Sequence, residues 1–420
     1  MGSAVVTARA LDPDGRGQFS LSLLFSNIIL VFTEFGLGNA GTYHMASGRW
    51  SRREILGSHA FVIVARCILA GFVSLVILLG MHEVLFPNVP VDCLVLGILN
   101  FFPLAVAGSI LPLLIGMGMM RTYNLILVIS SFLALGILLF GWVLVGLDVR
   151  TALLLQLGSS YITAAIIWYK TREAIGALAR PNFRYLREAY RFGLGLYASG
   201  VVAFVNTRMV WLLINSIVGV AGVGLYSIAQ AATDRIYLIP DALGTALFPR
   251  IAQDPKGNSV RITPTVFRIV LFVGTVLAVI LALVADWLVL FLFGEGFSGS
   301  VPVLRLLLVA VVLSGGWRIL SNDLNGQGYS YLSAIVNITS TIFGLGIAWL
   351  ILPKIGINGA AWAAVAAAGV SLLGGLFSLG YISGTRTVVT NLFLPNPSER
   401  HIISRNIYSI AYALRIGRIS

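Results

Sequence analysis

Eleven apolar runs, 19 to 29 residues long, decide what this chain can fold into. They cover about 19–40, 57–80, 92–120, 123–147, 151–169, 193–218, 221–249, 266–293, 301–325, 329–352 and 356–381. Coiled as a helix, a run of this length matches the hydrocarbon thickness of a bilayer. A membrane β-barrel would instead alternate apolar and polar residues in stretches of about ten. The chain therefore reads as an all-α polytopic membrane protein. Composition agrees, since 58% of its 420 residues are hydrophobic and 10% are charged, against roughly 25% charged in soluble domains.

The net charge of +12 raises the question of nucleic acid, and its distribution answers it. Lys and Arg crowd alternate connections: Arg49, Arg52 and Arg53, then Arg121, then Lys170 to Arg191, then Arg250 to Arg261, then the tail after 381. The other connections hold Arg9, Arg16, Arg150 and Lys354. This is the positive-inside pattern. It predicts a multi-pass protein of the cytoplasmic (inner) membrane with a cytoplasmic C-terminus and no nucleic-acid partner. Cys67 and Cys93 lie in apolar surroundings and make no disulfide framework. His44, His59, His82 and His401 lack metal-ligand spacing. With no phosphate-binding loop and no nucleophile–base constellation, no enzyme and no cofactor are expected.

GRGQFSLS at 15–22 returns as GVGLYSIA at 222–229, an offset of 207 residues. In the same register Glu34 falls on Asp241, two acids within or near the membrane at equivalent places. The glycines are expected to permit a tight outer turn before each helix. The helix that precedes the second copy, 193–218, has only residues 1–11 as its counterpart. That reads as the remnant of a first helix, in a twelve-helix plan of six plus six. The organisation expected is an N-terminal lobe 1–169, a basic cytoplasmic linker 170–192, a six-helix C-terminal lobe 193–381 and an amphipathic tail 382–420. Same-hand duplication of a helical unit is a common transporter plan.

Three stretches carry a resemblance to a known family: TARALDPDGRGQFSL, VGLYSIAQAATDRIYLIPDALGTALFPRIAQ, and the segment from VLRLLLVAVV to NGAAWAAV. The chain resembles the polysaccharide flippases of the Wzx type, within the multidrug/oligosaccharidyl-lipid/polysaccharide (MOP) exporter superfamily. The resemblance implies a two-lobed MOP/MATE-like helical bundle, here with eleven visible spans. It also implies movement of an undecaprenyl-diphosphate-linked oligosaccharide to the outer leaflet by alternating access around a central cavity. The partners implied are the lipid-linked oligosaccharide, membrane lipid and polysaccharide polymerase machinery. Where that family commonly has an aspartate, Met209 and Val210 stand here. A cation-coupled multidrug exporter of the same fold, or a non-transporting component of a synthesis complex, are the alternatives.

Ionisable residues inside spans are costly and face a cavity or a partner. Arg66, Arg208, Arg235 and Arg318 lie deep enough to contact a substrate diphosphate, which a guanidinium fork binds bidentately. Each could instead form a structural pair, Arg235 beside Asp234 and Arg318 near Asp323. Glu34, Asp234, Asp323 and Asp241 are the candidates for coupling to H⁺ or Na⁺. Pro103, Pro112 and Pro240 are candidate kinks.

Overall fold

The computed structural model describes residues 2–176 and 179–383 together with Leu392. Sixteen α-helices follow one another among these residues. They are α1 Gly2–Ala10, α2 Pro13–Glu34, α3 Leu37–Ser47, α4 Arg52–Gly80, α5 His82–Leu85, α6 Val91–Leu99, α7 Phe101–Gly116, α8 Met120–Leu144, α9 Val149–Ile175, α10 Phe183–Ile217, α11 Val220–Gln253, α12 Pro255–Leu283, α13 Ala285–Phe293, α14 Ser300–Gly326, α15 Ser330–Ile355 and α16 Ile357–Ser383. The expected amphipathic tail lies outside the described residues, apart from 382, 383 and 392.

The helix starts are written in the sequence. Asp12 caps α2, accepting from Gly15 N at 2.7 Å, with Pro13 at the first helical position. Ser51 and Glu54 form a capping box at the start of α4. Asp148 caps α9 through Thr151 N at 2.8 Å, and hydrogen bonding from the Thr151 side chain and amide holds its carboxyl below the usual range. Asn182 caps α10 through the amides of Arg184 and Tyr185.

Ten helices of the described residues are long and apolar enough to cross a membrane, with α6 and α7 counted as one. The expected span at 221–249 is present as the 34-residue helix α11, but it is not one of the ten. Gln230, Asp234, Arg235 and Asp241 make it too polar. The run 92–120 is broken at Asn100, with Pro103 in the first turn of α7. The run 266–293 is divided between α12 and α13. Residues 170–192 form the end of α9, a short connection and the first turns of α10; Ala177 and Leu178 lie outside the described residues.

The chain forms two compact units. Among the described residues, the first comprises those within 1–232, 283–307 and 341–364, and the second those within 233–282, 308–340 and from 365 onward. In the first, α2 packs on α6 and α7, α3 on α7 and α10, and α8 on α9, while α1 lies against α8 and α13. In the second, Leu247, Ile251, Phe267, Val270, Trp317, Leu320 and Leu324 are buried together, and Trp317 donates its indole N–H to Asn337 Oδ1 at 2.9 Å.

The repeat is explained within the first unit, and not as expected. Gly15 and Gly17 lie inside α2, and Gly222 and Gly224 inside α11; the turn before α11 is made by Gly219, at φ 100°. A Cβ on Gly17 would collide with the Val220 carbonyl, and one on Gly224 with the Pro13 carbonyl. Val220 stands 207 residues after Pro13, as Gly224 does after Gly17. Each copy thus presses its glycine onto the other's helix start, a self-complementary contact of the kind a two-fold generates. The glycines are there for close approach of two backbones.

Candidate functional site

One polar centre forms where α2 stops. Phe35 (φ 48°) and Gly36 (φ 74°) both take left-handed backbone, and α3 restarts at Leu37. A left-handed phenylalanine is strained, because its Cβ crowds the backbone. Packing holds it there: Gly36 and Gly193 lie so close that a Cβ on either would strike the other's backbone. The Phe35 ring also meets Tyr197 at 5.4 Å and Tyr190 at 6.3 Å. Strained, interrupted helices cluster at functional sites.

Arg66 reaches this break from α4 and is 4% exposed. Its Nη1 donates to Ser109 Oγ on α7 at 2.9 Å, its Nη2 to the Leu30 carbonyl at 3.2 Å and its Nε to Thr33 Oγ1 at 3.4 Å. The guanidinium carbon lies 5.9 Å from the Phe101 ring centre, a cation–π distance. Glu34 ends α2 one residue after Thr33, so its carboxylate lies in the neighbourhood of the Arg66 charge, but the bonds of the guanidinium go to neutral groups. Behind Arg66, the Ser109 carbonyl is 2.7 Å from His59 Nδ1, and His59 Nε2 is 2.7 Å from the Tyr185 hydroxyl. Burial pushes the Tyr185 hydroxyl above its usual range. Against the other face of Tyr185 lies His44, 5.5 Å between ring centres. Burial holds the His44 imidazole below its usual range.

A second polar centre lies in the second unit. Arg318 Nε on α14 meets Asp241 Oδ1 on α11 at 2.7 Å, both side chains partly exposed. Asp323 does not join them. Five residues along a helix turn the side chain by about 140° from Arg318, onto a buried face. There Thr263 donates to Asp323 Oδ1 at 2.8 Å, and Ser259 and Gln327 donate to Oδ2 at 2.9 and 2.8 Å.

Four sequence candidates are therefore gathered into two places: Asp241 and Arg318 form an ion pair, while Glu34 and Arg66 share the helix break with Arg66 held by neutral groups. The two acids are those the 207-residue offset equates, yet the arginines come from non-equivalent helices, α4 and α14. Arg208 lies 4.7 Å over the Trp211 ring. Asp234 and Arg235 occupy exposed neighbouring positions on α11. These three help build neither place. Sequence reasoning missed Thr33, Ser109, His59, Tyr185, Ser259 and Thr263. Each is a lone polar residue in an apolar or mixed stretch, and its partner lies 33 to 126 residues away. An isolated Ser, Thr or His in a membrane helix was the one local signal available.

Residues 1–254, more than half of the chain, match the family described as polysaccharide biosynthesis protein. The chain belongs to that family. A curated Shigella flexneri protein, named "Putative O-antigen transporter", is 22% identical over 181 residues, which is 43% of this chain and 43% of that protein. The match thus spans less than half the length of that relative. Among solved structures, the lipid II flippase MurJ in an inward closed conformation aligns with a TM-score of 0.74 at 16% identity, over 90% of this chain and 84% of that one. An inward-facing multidrug resistance MATE family transporter of the MOP superfamily aligns at 0.69 and 18% identity, over 92% and 95%. The fold of this polysaccharide biosynthesis protein is that of the MOP superfamily, and the chain is a multi-pass membrane protein.

Proposed function

We propose that the chain is a flippase that carries a lipid-linked oligosaccharide, on undecaprenyl diphosphate, from the cytoplasmic to the outer leaflet for cell-surface polysaccharide synthesis. The observation that carries this reading is an arginine near the repeated acid in each half: Arg66, buried at the break where Glu34 ends α2, and Arg318, ion-paired with Asp241. A diphosphate head cannot cross hydrocarbon without fixed positive charge, and an arginine fork matches its oxygens. In this reading two lobes move in alternation. Asp241 holds Arg318 when substrate is absent, and Ser109, Thr33 and the Leu30 carbonyl hold Arg66; each arginine exchanges these partners for phosphate oxygens when substrate enters.

Glu34, at a helix break and near Arg66, is the leading candidate for coupling to H⁺ or Na⁺, with Asp241 its counterpart. Arg208 and Arg235 remain candidates for the substrate path. The reading also places the chain in the cytoplasmic membrane, C-terminus inside, supplying a polysaccharide polymerase. Membership of a polysaccharide biosynthesis family and the likeness to a relative named for O-antigen transport support it.

The test is a strain depleted of this protein, rescued by wild type, Arg66→Ala or Arg318→Ala. Lipid-linked oligosaccharide should accumulate on the cytoplasmic face, be cleared by wild type, and persist with either variant. Unchanged precursor and surface glycan on depletion would overturn the proposal.

A further inference from the structure

His59 was first met as one of four histidines without metal spacing, and no part of the proposed transport uses it. It is nevertheless completely buried, as is Tyr185, and it joins three parts of the first unit. It sits on α4, its ring presses against Gly41 of α3, its Nδ1 faces the Ser109 carbonyl of α7 and its Nε2 faces the Tyr185 hydroxyl of α10. A Cβ on Gly41 would lie 2.6 Å from the imidazole Cε1, so the small residue there makes room for the ring.

The chemistry fixes the direction of each bond. A carbonyl oxygen only accepts, so Nδ1 carries the proton. In the neutral ring Nε2 then accepts, and the Tyr185 hydroxyl donates to it. Loss of the Tyr185 donor would leave Nε2 without a partner and the ring without its anchor on α10, which loosens the bond to Ser109. Ser109 is the residue that matters: its carbonyl takes the histidine while its hydroxyl takes Arg66 Nη1 at 2.9 Å. The chain of contacts Tyr185–His59–Ser109–Arg66 therefore runs from the first turn of α10 to the guanidinium, one bond per step. The start of α10 is itself tied to α4, since Asn182 N donates to Ser58 Oγ at 2.9 Å and Asn182 Nδ2 to Glu54 Oε1 at 3.0 Å.

The geometry points to His59 as a positioning residue for Arg66, holding Ser109 in place while Tyr185 holds the histidine ring. The inference deepens the proposed function, and its relevance to transport rests on the role of Arg66 given there. It makes the placement of that arginine sensitive to where the α10 start lies, although neither His59 nor Tyr185 touches substrate.

The test reads the arginine directly. Purified full-length protein is treated with 2,3-butanedione, which modifies accessible arginines, and the rate at Arg66 is followed by peptide mass spectrometry. Wild type, His59→Ala, His59→Gln and Tyr185→Phe are compared, with the partly exposed Arg318 as internal reference. Glutamine can donate to the carbonyl with its amide N–H and accept from the tyrosine with its oxygen. Loss of one buried hydrogen bond predicts modification of Arg66 about five- to tenfold faster in His59→Ala and Tyr185→Phe. The Arg318 rate should be unchanged, and His59→Gln should return Arg66 to the wild-type rate. Tyr185→Phe is close to isosteric and keeps the test open if His59→Ala fails to fold. An Arg66 rate in Tyr185→Phe equal to wild type, in a folded protein, would overturn the inference. If Arg66 is released as expected while cells carrying Arg66→Ala still clear the lipid-linked precursor, the positioning stands and the proposed role of Arg66 falls.

Discussion

Ser20 Oγ donates a hydrogen bond to Ser227 Oγ at 3.4 Å, and the two residues are 207 positions apart. That is the offset at which GRGQFSLS returns as GVGLYSIA, so a residue meets its own repeat copy. On either side the contact is reciprocal, Gly17 on Val220 and Gly224 on Pro13. Ser20 and Ser227 lie where a local two-fold axis would pass.

Cysteines at these two positions test that placement. With Cys67 and Cys93 first replaced, Ser20→Cys with Ser227→Cys should form a disulfide under mild oxidation, read by mass spectrometry of the joined peptides. Ser22→Cys with Ser227→Cys should not. Gly17→Ala or Gly224→Ala forces a methyl into a backbone and should cost about 1–3 kcal/mol, seen as a lower melting temperature. The second prediction fails if alanine is tolerated at both positions without change.

Arg318 and Asp241 should separate function from stability. Both are partly exposed, and an exposed pair contributes under about 1 kcal/mol. Arg318→Ala should therefore barely move the melting temperature while blocking precursor clearance. Asp241→Asn should resemble it in stability. A large stability loss with clearance intact would assign the pair to structure instead.

Asp323 should behave in the opposite way. It is fully buried and accepts from Ser259, Thr263 and Gln327, which bind α12 to α14. Asp323→Ala leaves those donors without an acceptor and should cost about 3 kcal/mol. Ser259→Ala, losing one donor of several, should cost less. Thermal unfolding of the two variants against wild type checks the order.

His44 should make the fold sensitive to acid. Burial lowers its folded-state pKa most; Glu188 opposes this and Arg49 adds to it. Below the unfolded pKa of about 6.5 the unfolded chain takes up the proton first, so stability falls as pH drops from there toward the folded value. Above about pH 7 the residue contributes no slope. The Tyr43, Tyr185 and Phe192 rings also face it. Replacing it with phenylalanine should flatten the melting temperature between about pH 7 and 5 relative to wild type. An identical slope in both proteins would sink the expectation.

The helical class, the membrane, the helix starts and the existence of a duplication were all legible in the chain. Each depends on local order. A twenty-residue apolar run has one solution in a bilayer, and a capping Asp or Ser acts on amides two or three residues away. Glu34, Arg66, Asp241 and Arg318 were also visible, because a charge in an apolar run stands out. The partner of Arg318 was not, since an arginine on α14 could face Asp323 or Asp241, and only the angle around the helix chooses.

The purpose of the repeated glycines was likewise misread from local rules. A Gly-x-Gly before an apolar run suggests a turn, and the turn is there, but Gly219 makes it. Close approach of α2 and α11 concerns residues some two hundred positions apart. The links from Tyr185 through His59 and Ser109 to Arg66 belong to the same class. Every step joins different helices through a neutral polar group, which no charge, spacing or periodicity marks. The sequence by itself determined which segments are long and apolar, α11 proving too polar to count with the other ten, and which charges must find partners among them. The tertiary structure decided which partners they found, because that choice depends on side-chain direction and backbone separation between helices distant in the chain.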